Sequence, residues 1–199
     1  MSDGLFCGRG FRTFNVVDDF NRETQAIEID LSLPSQRVIR ILERLVSWRG
    51  QPQKLRMDNG PEFISNALAQ WTEEDGVELE FIKPGKPTQN SYVERFNRTY
   101  RDEVLNMYVF KTMNEVREIT RNWIREYNEE RPHDSLSDLT PWEYLAKHPG
   151  LENSNLRCNK NREVYIQAEN WWRLLNLYTS SATYFFPNFG KVFSIFNTR

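Results

Sequence analysis

Leu55-Arg56-Met57-Asp58-Asn59-Gly60-Pro61-Glu62-Phe63 and, further along, Asn90-Ser91-Tyr92-Val93-Glu94-Arg95-Phe96-Asn97-Arg98 decide how this chain is read. The first block is a strand ending in a carboxylate, Asp58, and a tight turn. Gly60 accepts backbone angles other residues avoid, and Pro61 suits a first helical position. The second block opens a helix that carries Glu94 among arginines. Between Asp58 and Glu94 lie 35 residues. Two carboxylates delivered from two elements, with cations beside one, point to metal-dependent work on a phosphodiester.

Upstream, Phe11–Val17 and Thr24–Asp30 alternate and predict a hairpin across the polar turn 18–23. Val38, Ile41, Leu42 and Leu45 recur at helical spacing, with Ser35 as candidate N-cap and Gly50 as the stop. Lys54–Asp58 is a short strand. Phe63, Ile64, Leu68 and Trp71 stripe the helix that follows, which ends near Gly76. Val77–Ile82 is another strand. Lys83-Pro84-Gly85-Lys86-Pro87-Thr88-Gln89-Asn90 cannot be regular and reads as a mobile loop. The next helix puts Val93, Phe96, Asn97, Tyr100 and Val104 on one face, and Glu94, Arg98 and Arg101 on a polar one. Met113–Tyr127 is helical, and Thr140-Pro141 starts a last short helix. Hairpin, helix, strand, helix, strand, helix is an α/β pattern with some parallel pairing. From about Leu151 the periodicity is lost. The predicted organisation is therefore a core over 1–150 and an aromatic-rich tail over 151–199.

The totals bound the class. The chain has 199 residues, 39% apolar and 27% charged, within the range of a globular domain with an appendage. No apolar run has the length of a membrane span, and Met1-Ser2-Asp3-Gly4 is no export signal. Cys7 and Cys158 sit in no close pair, so a cytoplasmic setting is expected, without disulfides or structural zinc. The net charge of −2 does not advertise nucleic acid. Its distribution does: Lys83, Lys86, Arg95, Arg98 and Arg101 surround one acid, Glu94, as phosphate binding requires. A solvated basic face would read the same way. A glycosidase pair of carboxylates lacks support, since the basic stripe suits phosphate rather than neutral sugar.

Each carboxylate supports two accounts. Asp58 before Asn-Gly can stabilise a turn, or it can hold magnesium at the carboxyl end of a sheet strand. Ser91-x-x-Glu94 matches a capping box, with Ser91 at N-cap, or Glu94 is a second metal ligand. His133, in the turn Arg131-Pro132-His133, reads as a capping or surface residue.

Asp58–Phe63 followed by Lys83–Arg98 resembles the catalytic core of bacterial insertion-sequence transposases. These belong to the retroviral-integrase superfamily with its Asp-Asp-Glu triad, and the kind resembled is encoded by the second of two reading frames. Val16–Glu23, Tyr127–Leu136 and Thr140-Pro141 match as well, over about residues 3–148. The resemblance implies a ribonuclease-H-like mixed sheet flanked by helices, and DNA 3′-end cleavage and strand transfer with Mg²⁺ or Mn²⁺. It makes Asp58 and Glu94 the catalytic, metal-holding pair. Lys83, Lys86, Gln89, Asn90, Arg95, Arg98 and Arg101 become DNA-binding residues. It also implies DNA ends and target DNA as partners, a homo-multimer, and the helix-turn-helix product of the upstream frame as a further partner. The bacterial cytoplasm is the expected location.

The first triad Asp is not matched. In the family it lies on a central strand before the hairpin, and only ten residues precede Phe11. Asp18 aligns with the turn after a strand, and Asp3 with a position a few residues downstream of the triad residue. The expectation is that Met1 lies just past that Asp, that the first strand is missing, and that its neighbours lose a partner on each side. On this reading the core is impaired. The rival is a non-catalytic DNA-binding or multimer-joining remnant. The tail resembles nothing in the family and reads as a readthrough or frameshifted end, or as a module stacking on bases.

Overall fold

The computed structural model describes residues 1–57, 65–81, 91–148 and 163–167. In chain order the elements are β1 (Ser2–Gly4), β2 (Gly10–Asp18), β3 (Thr24–Asp30), α1 (Ser35–Arg49), β4 (Lys54–Met57), α2 (Asn66–Glu74), β5 (Glu78–Phe81), α3 (Ser91–Tyr100), a π-helical turn (Arg101–Leu105), α4 (Met113–Glu129), a 3-10 turn (Asp134–Leu136), α5 (Pro141–Lys147) and β6 (Glu163–Gln167). All of them fall in a compact unit, Met1–Glu169; Asn170–Arg199 forms a second unit.

Across the sheet the order is β3, β2, β6, β4, β5. β2 and β3 form the expected hairpin, with Arg12 opposite Asp30 and a bulge at Val16/Val17. β4 and β5 are parallel, Lys54 opposite Glu78 through Met57 opposite Phe81. β6 lies between β2 and β4, antiparallel to the first and parallel to the second. The expectation that the central neighbours lose their partners is therefore not met: residues 163–167 take that place.

β2 is buried on both faces, which explains why Phe14-Asn15-Val16-Val17 reads almost continuously apolar. Its even residues Phe14 and Val16 join an aliphatic core under α1 and α2, with Leu42, Leu55, Met57, Leu68, Trp71 and Val164. Its odd residues Phe11 and Val17 join an aromatic core under α3 and α4, with Phe96, Tyr100, Phe110, Trp123 and Tyr127. Each such side chain, fully buried, contributes roughly 1.5–3 kcal/mol.

Helix boundaries follow local chemistry, with some shifts from expectation. Ser35 is the first residue of α1 and not its cap; Pro34 holds the cap position without a side-chain bond, and Gly50 closes the helix at φ 77°. α2 begins at Asn66, capped by Ser65, whose hydroxyl accepts from the Leu68 amide at 3.2 Å. At α5 the Thr140–Glu143 capping box forms in both directions, at 3.2 and 3.0 Å.

Candidate functional site

β4 carries the chain to the carboxyl end of the sheet at Met57, which is fully buried and flanked by Phe81 on one side and Ile166 on the other. Sites gather at such strand ends. The next residue is Asp58. It lies outside the described residues, as do Lys83, Lys86, Gln89 and Asn90.

Glu94, Arg95, Arg98 and Arg101 are described. α3 divides as the spacing requires. Val93, Phe96, Asn97 and Tyr100 are buried, while Glu94, Arg95 and Arg98 are exposed. Ser91 is the first residue of the helix, and the residue before it lies outside the described residues. Arg101 departs from the common polar face. It opens the widened π-helical turn and donates to the Ser2 carbonyl at 3.1 Å, joining α3 to β1.

What positions Glu94 is Asn97, which the spacing places on the inward face of the helix without announcing its partner. Asn97, 2% exposed, accepts at 2.7 Å from the side-chain amide of Asn15, which is fully buried in β2. A hydrogen bond between two buried amides fixes both the rotation and the height of α3 on the sheet. The available signal was an Asn on an otherwise apolar helix face, matched by an Asn within an apolar strand. Tyr100 adds a second tie, its hydroxyl 2.7 Å from that of Thr120 on α4. Burial pushes the Tyr100 hydroxyl up to about 12.

Tyr92 forms the entrance side of α3. The Arg22 guanidinium stacks 4.3 Å from its ring centroid, and its hydroxyl donates to the Arg22 carbonyl at 3.4 Å. Arg22 has left-handed backbone, φ 62°, at the tip of the hairpin. Burial raises the Tyr92 hydroxyl far above the usual range, so it stays neutral.

Several other carboxylates near the sheet pair with cations, and others accept from amides. Glu80 accepts from Arg56 at 2.7 Å, which holds its carboxyl below the ordinary range. Glu23, buried, pairs with Arg49, and Asp19 pairs with Arg22. Asp18 accepts from the Phe20 amide and from Gln25, both at 2.9 Å, which is turn chemistry. Asp3 accepts from the Gly4 amide at 2.7 Å. Among the described residues no three Asp, Glu, His or Cys side chains stand close enough to hold a metal.

At the far end of α4, Glu103 accepts from Trp123 at 2.7 Å and from both terminal nitrogens of Arg131. Arg131 holds its carboxyl low. His133 precedes the 3-10 turn but makes no side-chain cap. It is half-buried against the Tyr127 ring, 4.9 Å between centroids, and burial lowers its pKa below 6.5.

Two family models with the description Integrase core domain match residues 3–87 and 75–141. The chain belongs to this family. The integrase core is 45% identical over 148 residues to the uncharacterized 31.7 kDa protein of insertion element IS407 from Burkholderia multivorans, covering 74% of this chain and 53% of that protein. It is 39% identical over 153 residues to the uncharacterized 39.2 kDa protein of insertion element IS476 from Xanthomonas euvesicatoria, covering 77% and 44%. The chain thus spans about half the length of these relatives. Its fold matches the catalytic core domain of HTLV-2 integrase, solved in complex with magnesium, with TM-score 0.53 and 16% identity over 72% of this chain and 90% of that one. The fold is ribonuclease-H-like, and the core is of the insertion-sequence transposase kind.

Proposed function

We propose that this integrase core processes DNA ends in transposition, with Asp58 and Glu94 holding Mg²⁺ or Mn²⁺. The observation that carries this reading is the presentation of Glu94. It is an exposed carboxylate on a helix pinned to the central strand through Asn97 and Asn15, with Arg95 and Arg98 exposed beside it. Carboxylate oxygens are the donors that Mg²⁺ takes. Bound there, the ion would polarise a phosphodiester and lower the charge its oxygens develop.

The chain's own residues do the rest. Arg95 and Arg98 neutralise phosphate and place the strand along α3. The Asn15–Asn97 bond keeps Glu94 at constant height. In the first reaction water attacks phosphorus and the bond to the 3′ oxygen breaks, leaving a 3′-hydroxyl and a 5′-phosphate. In the second that 3′ oxygen attacks another phosphodiester and displaces its 3′ oxygen. The homo-multimer, the upstream-frame partner and a cytoplasmic setting belong to the same reading. Among the described residues no helix is long and apolar enough to cross a membrane.

One observation favours the rival, a DNA-binding or multimer-joining protein without catalysis. The strand at the centre of the sheet, Glu163-Val164-Tyr165-Ile166-Gln167, has a single carboxylate. Glu163 sits opposite Lys54, at the end of β4 away from Met57. A DNA substrate carrying insertion-element ends separates the two readings. The enzyme releases a 3′-hydroxyl product only with Mg²⁺ or Mn²⁺, and Glu94→Gln removes this by at least ~10²-fold, the scale of one positioned catalytic group, while leaving DNA affinity intact. Wild-type protein that binds DNA and yields no product under any divalent ion establishes the rival. In both cases affinity falls steeply with salt.

A further inference from the structure

Residues 163–167 pair with β2 along one edge and β4 along the other, and the pairing is continuous. Asn15, Val16, Val17 and Asp18 face Gln167, Ile166, Tyr165 and Val164 in turn. Lys54, Leu55, Arg56 and Met57 face Glu163, Val164, Tyr165 and Ile166. β1 uses the same edge of β2. Arg12 faces Ser2 there while Asp30 faces it from the other side, and Asn15 likewise has Gln167 on one side and Ile27 on the other. Met1 continues β1 by exchanging backbone hydrogen bonds with Thr13, at 2.8 and 2.7 Å. One register position, Phe14, separates Met1 from Gln167. β6 and β1 run in the same direction, so together they form one split strand, its first part from the C-terminal region and its second from the N-terminal residues.

The edges that receive β6 cannot be left bare. Val16, Val17, Leu55 and Met57 are each at most 1% exposed, so their amides and carbonyls have no water to turn to. Val164, 3% exposed, joins Phe14, Val16, Leu55 and Met57 in the aliphatic core. The acceptor thus selects by backbone pairing on two sides and by an apolar side chain entering the core, the two elements of strand addition.

We propose that the gap between β2 and β4 is a strand-acceptor site, and that its ligand is this chain's own segment 163–167, bound in cis. The C-terminal region is then part of the catalytic sheet and not an appendage to it. The strand also decides which residue comes level with Asn15 at the sheet end. Ile166 faces Met57, whose successor is Asp58, and the successor of Ile166 is Gln167, an amide. An acceptor filled this way is a complete sheet whose central strand brings no acid to that level. The last consequence rests on the proposed function; the acceptor itself does not.

The test is a cross-link in the full chain. Val16 and Ile166 are directly opposed, and Cα atoms of an antiparallel pair lie within disulfide reach. Val16→Cys and Ile166→Cys are combined with Cys7→Ser and Cys158→Ser, oxidised, and run on a non-reducing gel. An intrachain disulfide in most molecules, unchanged on tenfold dilution, is the expected result. Interchain dimers would move the ligand to a second copy, and thiols that stay open to alkylation would remove it; either overturns the proposal. A second measurement uses the unaltered protein. Hydrogen exchange of 163–167 slowed at least ~10²-fold, together with 54–57, is expected. Exchange of 163–167 at the rate of an unstructured peptide overturns the proposal. Neither readout involves DNA or metal, so failure of the catalytic reading leaves them untouched.

Discussion

The two faces of the sheet are built from different chemistry. Under α1 and α2 the core is mainly aliphatic: Leu42, Leu45, Leu55, Met57 and Leu68 pack on Phe14 and Val16, with Trp71 beside them. Under α3 and α4 it is aromatic and carries polar ties: Asn15 to Asn97, Tyr100 to Thr120, and Asn128 to both the amide and the carbonyl of Thr24, at 2.9 and 3.0 Å. Hydrophobic contact is non-directional, and the directional ties of the first face are ion pairs of partly exposed arginines, Arg37 to Asp30, Arg44 to Glu28 and Arg49 to Glu23, that join α1 to the hairpin. A buried hydrogen bond is directional and costly to leave unmade, so the second face fixes α3 and α4 in rotation and height. The face that positions the candidate site is the one whose ties are buried amide and hydroxyl hydrogen bonds.

That contrast is most easily broken from the aliphatic side. Phe14→Ala removes a fully buried ring from the middle of β2 and leaves a cavity. It should cost about 3–5 kcal/mol in urea unfolding. The loss should be global, with whatever remains folded binding DNA as before, because among the described residues the aliphatic cluster takes none from α3. A selective loss of DNA affinity at unchanged stability would contradict the division of labour.

The polar side breaks differently. Asn97→Ala leaves the buried Asn15 amide with the weak Met1 Sδ acceptor, at 3.3 Å, and should cost about 1–3 kcal/mol. Its effect on Mg²⁺-dependent activity should exceed what that stability loss explains, because Glu94 sits one turn before it on α3. The sharper variant is Asn15→Leu with Asn97→Leu, which replaces both partners with apolar groups of similar size. Stability should return nearly to wild type while activity stays low. Activity returning with stability would mean that the pair only fills space.

The same contrast governs what the sequence revealed. The hairpin, α1 and α4 were legible because their apolar residues repeat at strand or helix period over seven or more residues. The α5 start was legible because a capping box is a local signal. β6 was not. Five residues, Glu163 to Gln167, stand in a stretch without periodicity, and their partners are more than a hundred residues away in sequence. Strand placement of that kind is decided by which edge is vacant, and vacancy is a property of the whole sheet. The π-helical turn at Arg101–Leu105 was missed for a similar reason: it lets Arg101 reach the Ser2 carbonyl, a contact no local pattern announces. For the site, exposure of Glu94 and Arg98 followed from i, i+4 spacing. The Asn15–Asn97 tie did not, since each Asn alone reads as a blemish in an apolar pattern.

The smallest expected effect separates the faces by pH. The aromatic side carries a histidine at its margin. His133 packs on Tyr127 at the end of α4. Burial, together with Arg131 and Arg22, lowers its pKa below 6.5, and Asp134 and the Tyr127 backbone offset this only in part. A group whose folded pKa is depressed binds its proton more readily when unfolded. Its contribution is therefore complete above about pH 6.5 and is lost as pH falls toward the lowered folded value. Glu103, held low by Arg131, follows the same rule from its ordinary 4.5 downward, below the pH range of this test. Between pH 7.5 and 5.5 the urea midpoint should fall, and His133→Gln should flatten that fall. A midpoint that rose on acidification, or a slope unchanged in His133→Gln, would show that the ring is charged in the folded protein and that the polar face is not as dry at its margin as at Asn15 and Asn97.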